Sequence, residues 1–424
     1  MSRTATPLPS ATRAKIIAYL GVLVVLLGFG SPHSGLVDTT ITFFAKNRLH
    51  LSAHDTTIFR LLGAIPLFIA FAFGFVRDSF NPFGLRDRGF LILFGSLTAL
   101  VYGVFAFVPI SWGGLLAAVI LANCAFLFVS SAQNGLASAL GQQHVMSGRI
   151  SAAWNVFLYV PVLTSYFIGG ALSQALEGQN GPLAARVLFL VGAAIMLGVA
   201  AFGFWRPASV FDNLRDERPA HATLLSDLKR LARHWPIYPA LTIWLLWSFS
   251  PGSATPLTYF MQNTLHATDA DVGNWNALFV AGFIPTFLLF GWLCQKWPLR
   301  KILFWSTLVA VPQMVPLAFI HTVPEALVAA FVIGFLGGVN GAAYLDLVIR
   351  SSPPGLQGTV MMLYWALFYI ALRFGDVLGA ALYDRFHNFN ACVIAITIVY
   401  ALILPILWLV PRRLTSTRDG EVPA

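Results

Sequence analysis

Arg373 and Asp376 stand three residues apart in an otherwise apolar run, Tyr369-Ile370-Ala371-Leu372-Arg373-Phe374-Gly375-Asp376. On a helix this spacing puts guanidinium and carboxylate on one face, close enough to pair. A charge at membrane depth costs on the order of 2.5–3.5 kcal/mol on insertion scales, so each needs a reason. Two readings stand. The pair locks helix packing, or Arg373 is a cationic anchor for an anionic solute, freed from Asp376 when solute or a proton arrives. His33 and Asp38 flank a second interruption, Gly30-Ser31-Pro32-His33-Ser34-Gly35. Pro32 removes a backbone donor and predicts a kink, tolerated at membrane depth where the freed carbonyls face a cavity. His33 titrates near neutral pH and can exchange a proton; the alternative is a histidine bonded to a neighbouring helix.

Amides, hydroxyls and rings form a third set. Gln133 and Asn134 follow Ser130 and Ser131; Asn155 follows Trp154; Ser250 and Tyr259 surround Pro251-Gly252; Asn340, Tyr344 and Tyr364 come later. Together they can hold a planar polar solute between aromatic faces. Singly, each serves equally well as a hydrogen bond between helices in lipid.

Other chemistries lack their residues. The nine histidines are scattered with no HExxH-like spacing, and no phosphate loop of the form GxxxxGK[ST] occurs. Cys124, Cys294 and Cys392 show neither paired nor metal-ligand spacing and read as small packing residues. No metal, cofactor or catalytic set is expected.

The elements that carry these residues are apolar. Of 424 residues 58% are hydrophobic and 10% charged, with a mean hydropathy of +0.75. About a dozen segments of roughly 20 residues are each long enough to cross a bilayer, and only helices satisfy their own backbone there. The predicted spans are 16–37, 57–76, 90–110, 113–137, 150–173, 184–205, 237–262, 273–294, 302–321, 325–349, 358–382 and 390–411. The only punctuation between the third and fourth is Val108-Pro109-Ile110-Ser111. The first is too long for a cleavable signal and has no small-residue cleavage site after it.

One long polar stretch divides the chain: residues 1–205, a linker over 206–236, and 237–424. In the linker Asp212, Arg215, Asp216, Glu217 and Arg218 precede Leu224, Leu225, Leu228 and Leu231 at helical spacing, which predicts a short amphipathic helix on the cytoplasmic surface. An even span count with an internal N-terminus puts about 20 of the 26 Lys and Arg inside and about 5 outside, so both termini are expected in the cytoplasm. The net charge of +9 then reflects topology and anionic lipid rather than nucleic acid, since the cations are scattered over separate loops. Internal repetition is faint. Gly74-Phe75-Val76-Arg77-Asp78 before Arg86 and Arg88 has a counterpart in Gly291-Trp292-Leu293-Cys294-Gln295-Lys296 before Arg300 and Lys301, but the second copy lacks the acid.

Gly74 to Phe90, GFVRDSFNPFGLRDRGF, resembles the loop between the second and third helices of the major facilitator superfamily. More narrowly it is similar to the folate–biopterin transporter family, matching at Asp78-Ser79, Phe83-Gly84, Arg86 and Arg88, with Pro82 one position late. Ser250 to Leu265, Pro353 to Thr359 and Thr39 to Leu51 carry the same likeness. Two positions depart from it: Gln357 stands where the family has Glu, and Ser130 to Gly135 lacks the acids of the family's fourth helix. Those acids are candidates for cation or pteridine recognition, so their loss admits another solute.

The resemblance implies an all-α membrane protein with about twelve transmembrane helices in two six-helix halves around a central cavity. It also implies that Asp78, with Arg77, Arg86 and Arg88, stabilises one gate state, a role Asp346 and Arg350 can play in the second half. Positive-inside topology explains those arginines equally but not Asp78. The expected function is a secondary active transporter of a small polar organic solute, pterin-like or another organic anion, by alternating access with protons as candidate coupling ions. Its expected partners are that solute and membrane lipids; the expected state is a monomer in a bacterial inner membrane. The rival readings are a membrane-embedded enzyme and a non-transporting assembly protein on the same fold.

Overall fold

The computed structural model describes residues 8–34, 37–38, 41, 49, 53–108, 111–177, 181–212, 214 and 224–421; among them every regular element is a helix. The first span is Ser10–Gly30. The second comes in three pieces, Ala53–Gly63, Ile65–Phe68 and Ala70–Ser79. The third to sixth are Asp87–Phe105, Trp112–Gln143, Ser147–Glu177 and Gly181–Phe204. The seventh is Ile237–Ser248 continued by Thr255–Tyr259, and the eighth Asp269–Lys296. The ninth to eleventh are Leu299–Ala310, Val323–Ser351 and Gln357–Phe386. Asn390–Ala401 and Ile403–Leu407 make the twelfth.

Each expected segment is helical. Among the described residues nine helices are individually long and apolar enough to cross a bilayer. Of the other three, the fifth is the continuous 31-residue helix Ser147–Glu177, while the second and seventh are interrupted. In the second, Ala64 is a turn and Pro66 starts a new piece, having no N–H to continue the old one. In the seventh, Gly252 adopts φ +100°, a region that suits glycine, between the two pieces. It lies against Cys392 of the twelfth span and Gly379 of the eleventh. In the first span the helix breaks after Gly30, where Pro32 and His33 form a turn as the proline predicts, and Val37 and Asp38 are helical again. The third and fourth spans do separate, with Ser111 capping the fourth by accepting from Gly114 N–H. Most of Thr39 to Leu51 lies outside the described residues, as do Arg215, Asp216, Glu217 and Arg218.

The expected amphipathic helix is Leu224–Ala232. Asp227 is buried, Arg230 donates to the Pro354 carbonyl at 2.8 Å, and Leu231 packs on the core. The helix therefore holds the turn before the eleventh span, while Leu225 stays exposed.

Leu23, Phe90, Tyr102, Phe126, Val129 and Met196 fill a core within the first six spans. A larger core, with Phe287, Phe290, Ile333, Tyr344 and Met361, runs through the later spans and takes in Leu136, Leu140 and Ile150 of the first six. Large apolar side chains also cover the outside: Leu100, Leu288, Val328, Phe374, Val377 and Trp408 are all exposed. An apolar rim of this extent on an apolar core does not suit water, and the chain is a multi-pass integral membrane protein.

Candidate functional site

His33, Asp38 and Arg373 meet. With Arg60, Asn123 and Tyr369 they line a cavity of about 200 Å³ between the first, second, fourth and eleventh spans. Arg60 and Arg373 both act electrostatically on the Asp38 carboxylate. The Asn123 amide nitrogen donates to the Gly63 carbonyl at 3.0 Å, which fixes its orientation and turns Oδ1 to His33 Nδ1, also at 3.0 Å. Nδ1 therefore carries the hydrogen and Nε2 is the basic atom of the ring. The His33 ring stands edge-on to Phe126 and Tyr369, 5.4 and 5.7 Å between centroids. Two guanidiniums against one carboxyl group give the cavity a net positive charge, suited to a carboxylate or phosphate group.

The pair expected between Arg373 and Asp376 is not formed. Asp376 accepts from the Thr255 N–H and hydroxyl, both at 2.8 Å, and so caps the second piece of the seventh span; no Arg373–Asp376 bridge occurs among the described residues. The break in the seventh span leaves those first N–H groups without carbonyls, and the carboxylate supplies an acceptor. Arg373 turns instead to the cavity.

The other polar residues divide. Asn134 and Asn155 donate to carbonyls of their own helices, Ser130 and Ser151. Asn340 donates to the Ser306 carbonyl and so joins the tenth span to the ninth. Tyr364 stacks on Trp244 at 4.0 Å, Ser250 meets the Tyr400 hydroxyl at 3.3 Å, and Tyr259 is exposed. None of these lines the cavity. Gln133 Nε2, Asn134 Oδ1 and Asn340 Oδ1 are buried with no protein partner, so these spans keep polar capacity in the interior. Arg60 and Asn123 were legible as polar residues inside predicted spans but stood outside the expected set.

At the basic end of the molecule Asp78 closes a different contact. Its carboxylate accepts from Gly358 N–H at 3.2 Å and from the N–H and hydroxyl of Thr359, both at 2.7 Å, joining the second span to the start of the eleventh. Arg77 braces it, bridging Asp78 at 2.7 Å and Asp87 at 2.6 Å while lying against Gly135 of the fourth span. The other arginines of the loop serve its shape: Arg88 donates to the carbonyls of Gly203 and Phe204, each at 2.9 Å, and the Arg86 N–H donates to Asn81 Oδ1. Arg88 thus satisfies the last carbonyls of the sixth span and ties it to the third. Gln357, the departure from Glu, holds the Gly355 N–H and donates to Gln142, whose own amide donates to the Ile349 and Ser352 carbonyls. Asp346 and Arg350 do pair, at 2.8 Å. Among the described residues no group of three or more His, Cys, Asp or Glu is placed to hold a metal.

Comparison with known proteins agrees with this architecture. The family model of the Major Facilitator Superfamily matches residues 146–375 and 252–424. A folate–biopterin transporter of Synechocystis is 22% identical over 452 residues, covering 98% of this chain and 87% of the relative. The crystal structure of FucP, a transporter of that superfamily in the outward conformation, superposes with a TM-score of 0.75 at 14% identity, covering 94% of this chain and 99% of FucP. The human organic anion transporter MFSD10 gives 0.61 at 18%, with 94% and 100% covered. With two six-helix halves, a cavity between them and a family match over most of its length, this chain belongs to the major facilitator superfamily.

Proposed function

We propose that this secondary transporter moves a small polar organic anion by alternating access, binding it between Arg60, Arg373, His33 and Asn123. One observation carries the reading: two guanidiniums, outnumbering the single carboxylate Asp38, face one cavity shared by spans of both halves. The similarity to a folate–biopterin transporter favours a planar anion such as a folate or pterin, and Tyr369 supplies a ring to stack on it. His33 and Asp38 are the proposed proton carriers beside that anion.

In this reading residues 1–205 and 237–424 rock about the cavity, with 206–236 joining them. The basic end faces the cytoplasm of a bacterial cell, both termini included, and the protein acts as a monomer. Asp78 and Arg77 hold the cytoplasmic side shut, braced by Asp87. Arg86 and Arg88 set the shape of the loop, and the Asp346–Arg350 pair stiffens the end of the tenth span. Eighteen positions separate Arg60 from Asp78 along the interrupted second span, so solute and latch engage opposite ends of the same span.

Uptake of radiolabelled folates, pterins and simple organic anions into proteoliposomes tests the proposal. Saturable flux that is lost in Arg373→Ala, with the mutant still folded, is the expected result. Flux of neutral or cationic solutes only, unaffected by Arg373→Ala and Arg60→Ala, would overturn it.

A further inference from the structure

Asp78 sits four residues after Gly74, at a helix end, and the matching position four after Gly291 is Gln295. Gln295 is exposed and spends its amide on the Gly291 carbonyl of its own helix at 2.7 Å. The second half therefore lacks the acid at the place where the first half has one. The surface that such an acid would meet is nonetheless present. Asp78 engages Gly358 and Thr359, the second and third residues of the eleventh span. The corresponding residues of the fifth span, in the other half, are Gly148 and Arg149.

Both are held by Asp419. The segment after the twelfth span runs back across the basic end of the second half. Arg350 donates to the carbonyls of Leu414 and Thr417 at 3.2 and 3.1 Å, and Asp419 N–H donates to the Cys294 carbonyl at 2.8 Å. From there it crosses to the first half. The buried Asp419 carboxylate accepts from Gly148 N–H at 2.9 Å and from Arg149 Nε at 2.5 Å, and Gly420 N–H donates to the Val145 carbonyl at 2.7 Å. Gly148 has no side chain to interfere; a Cβ there would lie 3.0 Å from Cys294 Cβ and 3.3 Å from Asp346 Oδ2. The two closures share a plan: an acid fixed to one half accepts from the first turn of a helix in the other, where N–H groups lack intrahelical acceptors.

We infer that Asp419 is a second gate latch, supplied by the C-terminal segment in place of the acid missing at Gln295, and that the basic end opens only when Asp78 and Asp419 both let go. This rests on the alternating-access reading but not on the solute. A missing latch stabilises the state open at the basic end and so closes the far cavity. The two effects must appear together.

Native Cys294 beneath the strap and Leu372→Cys in the cavity report the two ends, and buried Cys392 reports unfolding. Labelling of the full chain in proteoliposomes is read site by site by mass spectrometry, with N-ethylmaleimide for the native thiols and an external impermeant maleimide for Leu372→Cys. In Asp419→Asn, Cys294 labels at least about tenfold faster, a shift equivalent to 1.4 kcal/mol, while Leu372→Cys labels more slowly and Cys392 is unchanged. Asp419→Glu restores the parental rates, and Asp78→Asn/Asp419→Asn shifts both rates further than either single change. Parental rates at Cys294 and Leu372→Cys in Asp419→Asn overturn the inference. Faster labelling at Cys294 alone also overturns it, since it makes the strap a local tie. If Asp419→Asn exposes Cys392 as well, Arg149→Ala, which removes the other side of the contact, must give the paired shift or the latch is rejected. The labelling needs no solute, so a failed uptake assay bears on the substrate reading alone.

Discussion

Asp78 accepts both the backbone N–H and the hydroxyl of Thr359, each at 2.7 Å, across the boundary between the halves. One carboxylate thereby binds the end of the second span to the start of the eleventh. Its counterion, Arg77, belongs to its own half, so parting the halves breaks hydrogen bonds to neutral donors without stripping the acid of its charge partner.

Asp78→Asn is expected to insert and fold while transporting poorly. An amide turns an N–H₂ toward donors on at least one side. Hydrogen bonds to charged groups contribute about 1.5–3 kcal/mol, so the balance of gate states shifts by roughly 10- to 100-fold. Uptake measured against membrane expression checks this, and normal uptake by a well-expressed mutant refutes the latch.

Arg373 and Asp376 should behave independently. Arg373→Ala is expected to weaken anion binding by about tenfold or more at little cost in melting temperature, because no bridge to Asp376 is lost. Asp376→Ala is expected to lower the melting temperature by removing the cap on Thr255. In a double-mutant cycle Asp376 should couple to Thr255 and not to Arg373. Coupling to Arg373 above about 0.5 kcal/mol would restore the ion pair.

His33→Gln keeps a donor for Asn123 but cannot carry a proton at working pH. If His33 couples a proton, the mutant should lose accumulation driven by a pH gradient yet retain solute exchange at equal pH. A pH gradient that neither drives nor alters wild-type flux removes proton coupling altogether.

His234 gives a pH signature outside the membrane. Burial, followed by the field of Arg413 and Arg230, lowers its pKa below 6.5, although its bond to the Ser351 carbonyl works the other way. The unfolded chain then binds the proton more readily than the folded one, so stability is complete above pH 6.5 and falls as pH drops below it. His234→Gln should flatten this slope in melting temperatures measured between pH 5 and pH 7. An unchanged slope would mean that other groups set it.

The twelve spans were legible because each is a long apolar run with little but a helix open to it in lipid. Asp78 was legible too, as an acid with no topological reason to be there. Its partners were not. Gly358 and Thr359 bind through backbone groups and a hydroxyl some 280 positions away, and spacing rules reach only one helix turn. That limit also explains Arg373. The i, i+3 rule offered Asp376, while the tertiary fold offered Thr255 to Asp376 and Asp38 to Arg373. Arg60 met the same criterion as Arg373, a cation inside a predicted apolar span, yet its position near the span's end disguised it. Asp419 lay beyond the last span, where sequence alone assigns no contacts.

Gly74 has a consequence for the membrane as an insulator. A Cβ at this position would lie 2.5 Å from the Gly358 oxygen and 2.6 Å from Thr359 Cα, so the two spans touch main chain to main chain. At this contact there is no width for water between the two spans, which bars protons and small ions from this seam against a membrane potential worth about 2.3 kcal/mol per charge at 100 mV. The missing side chain is thus a gasket: substituting even a methyl group forces the joint apart and trades tight closure for electrical leak.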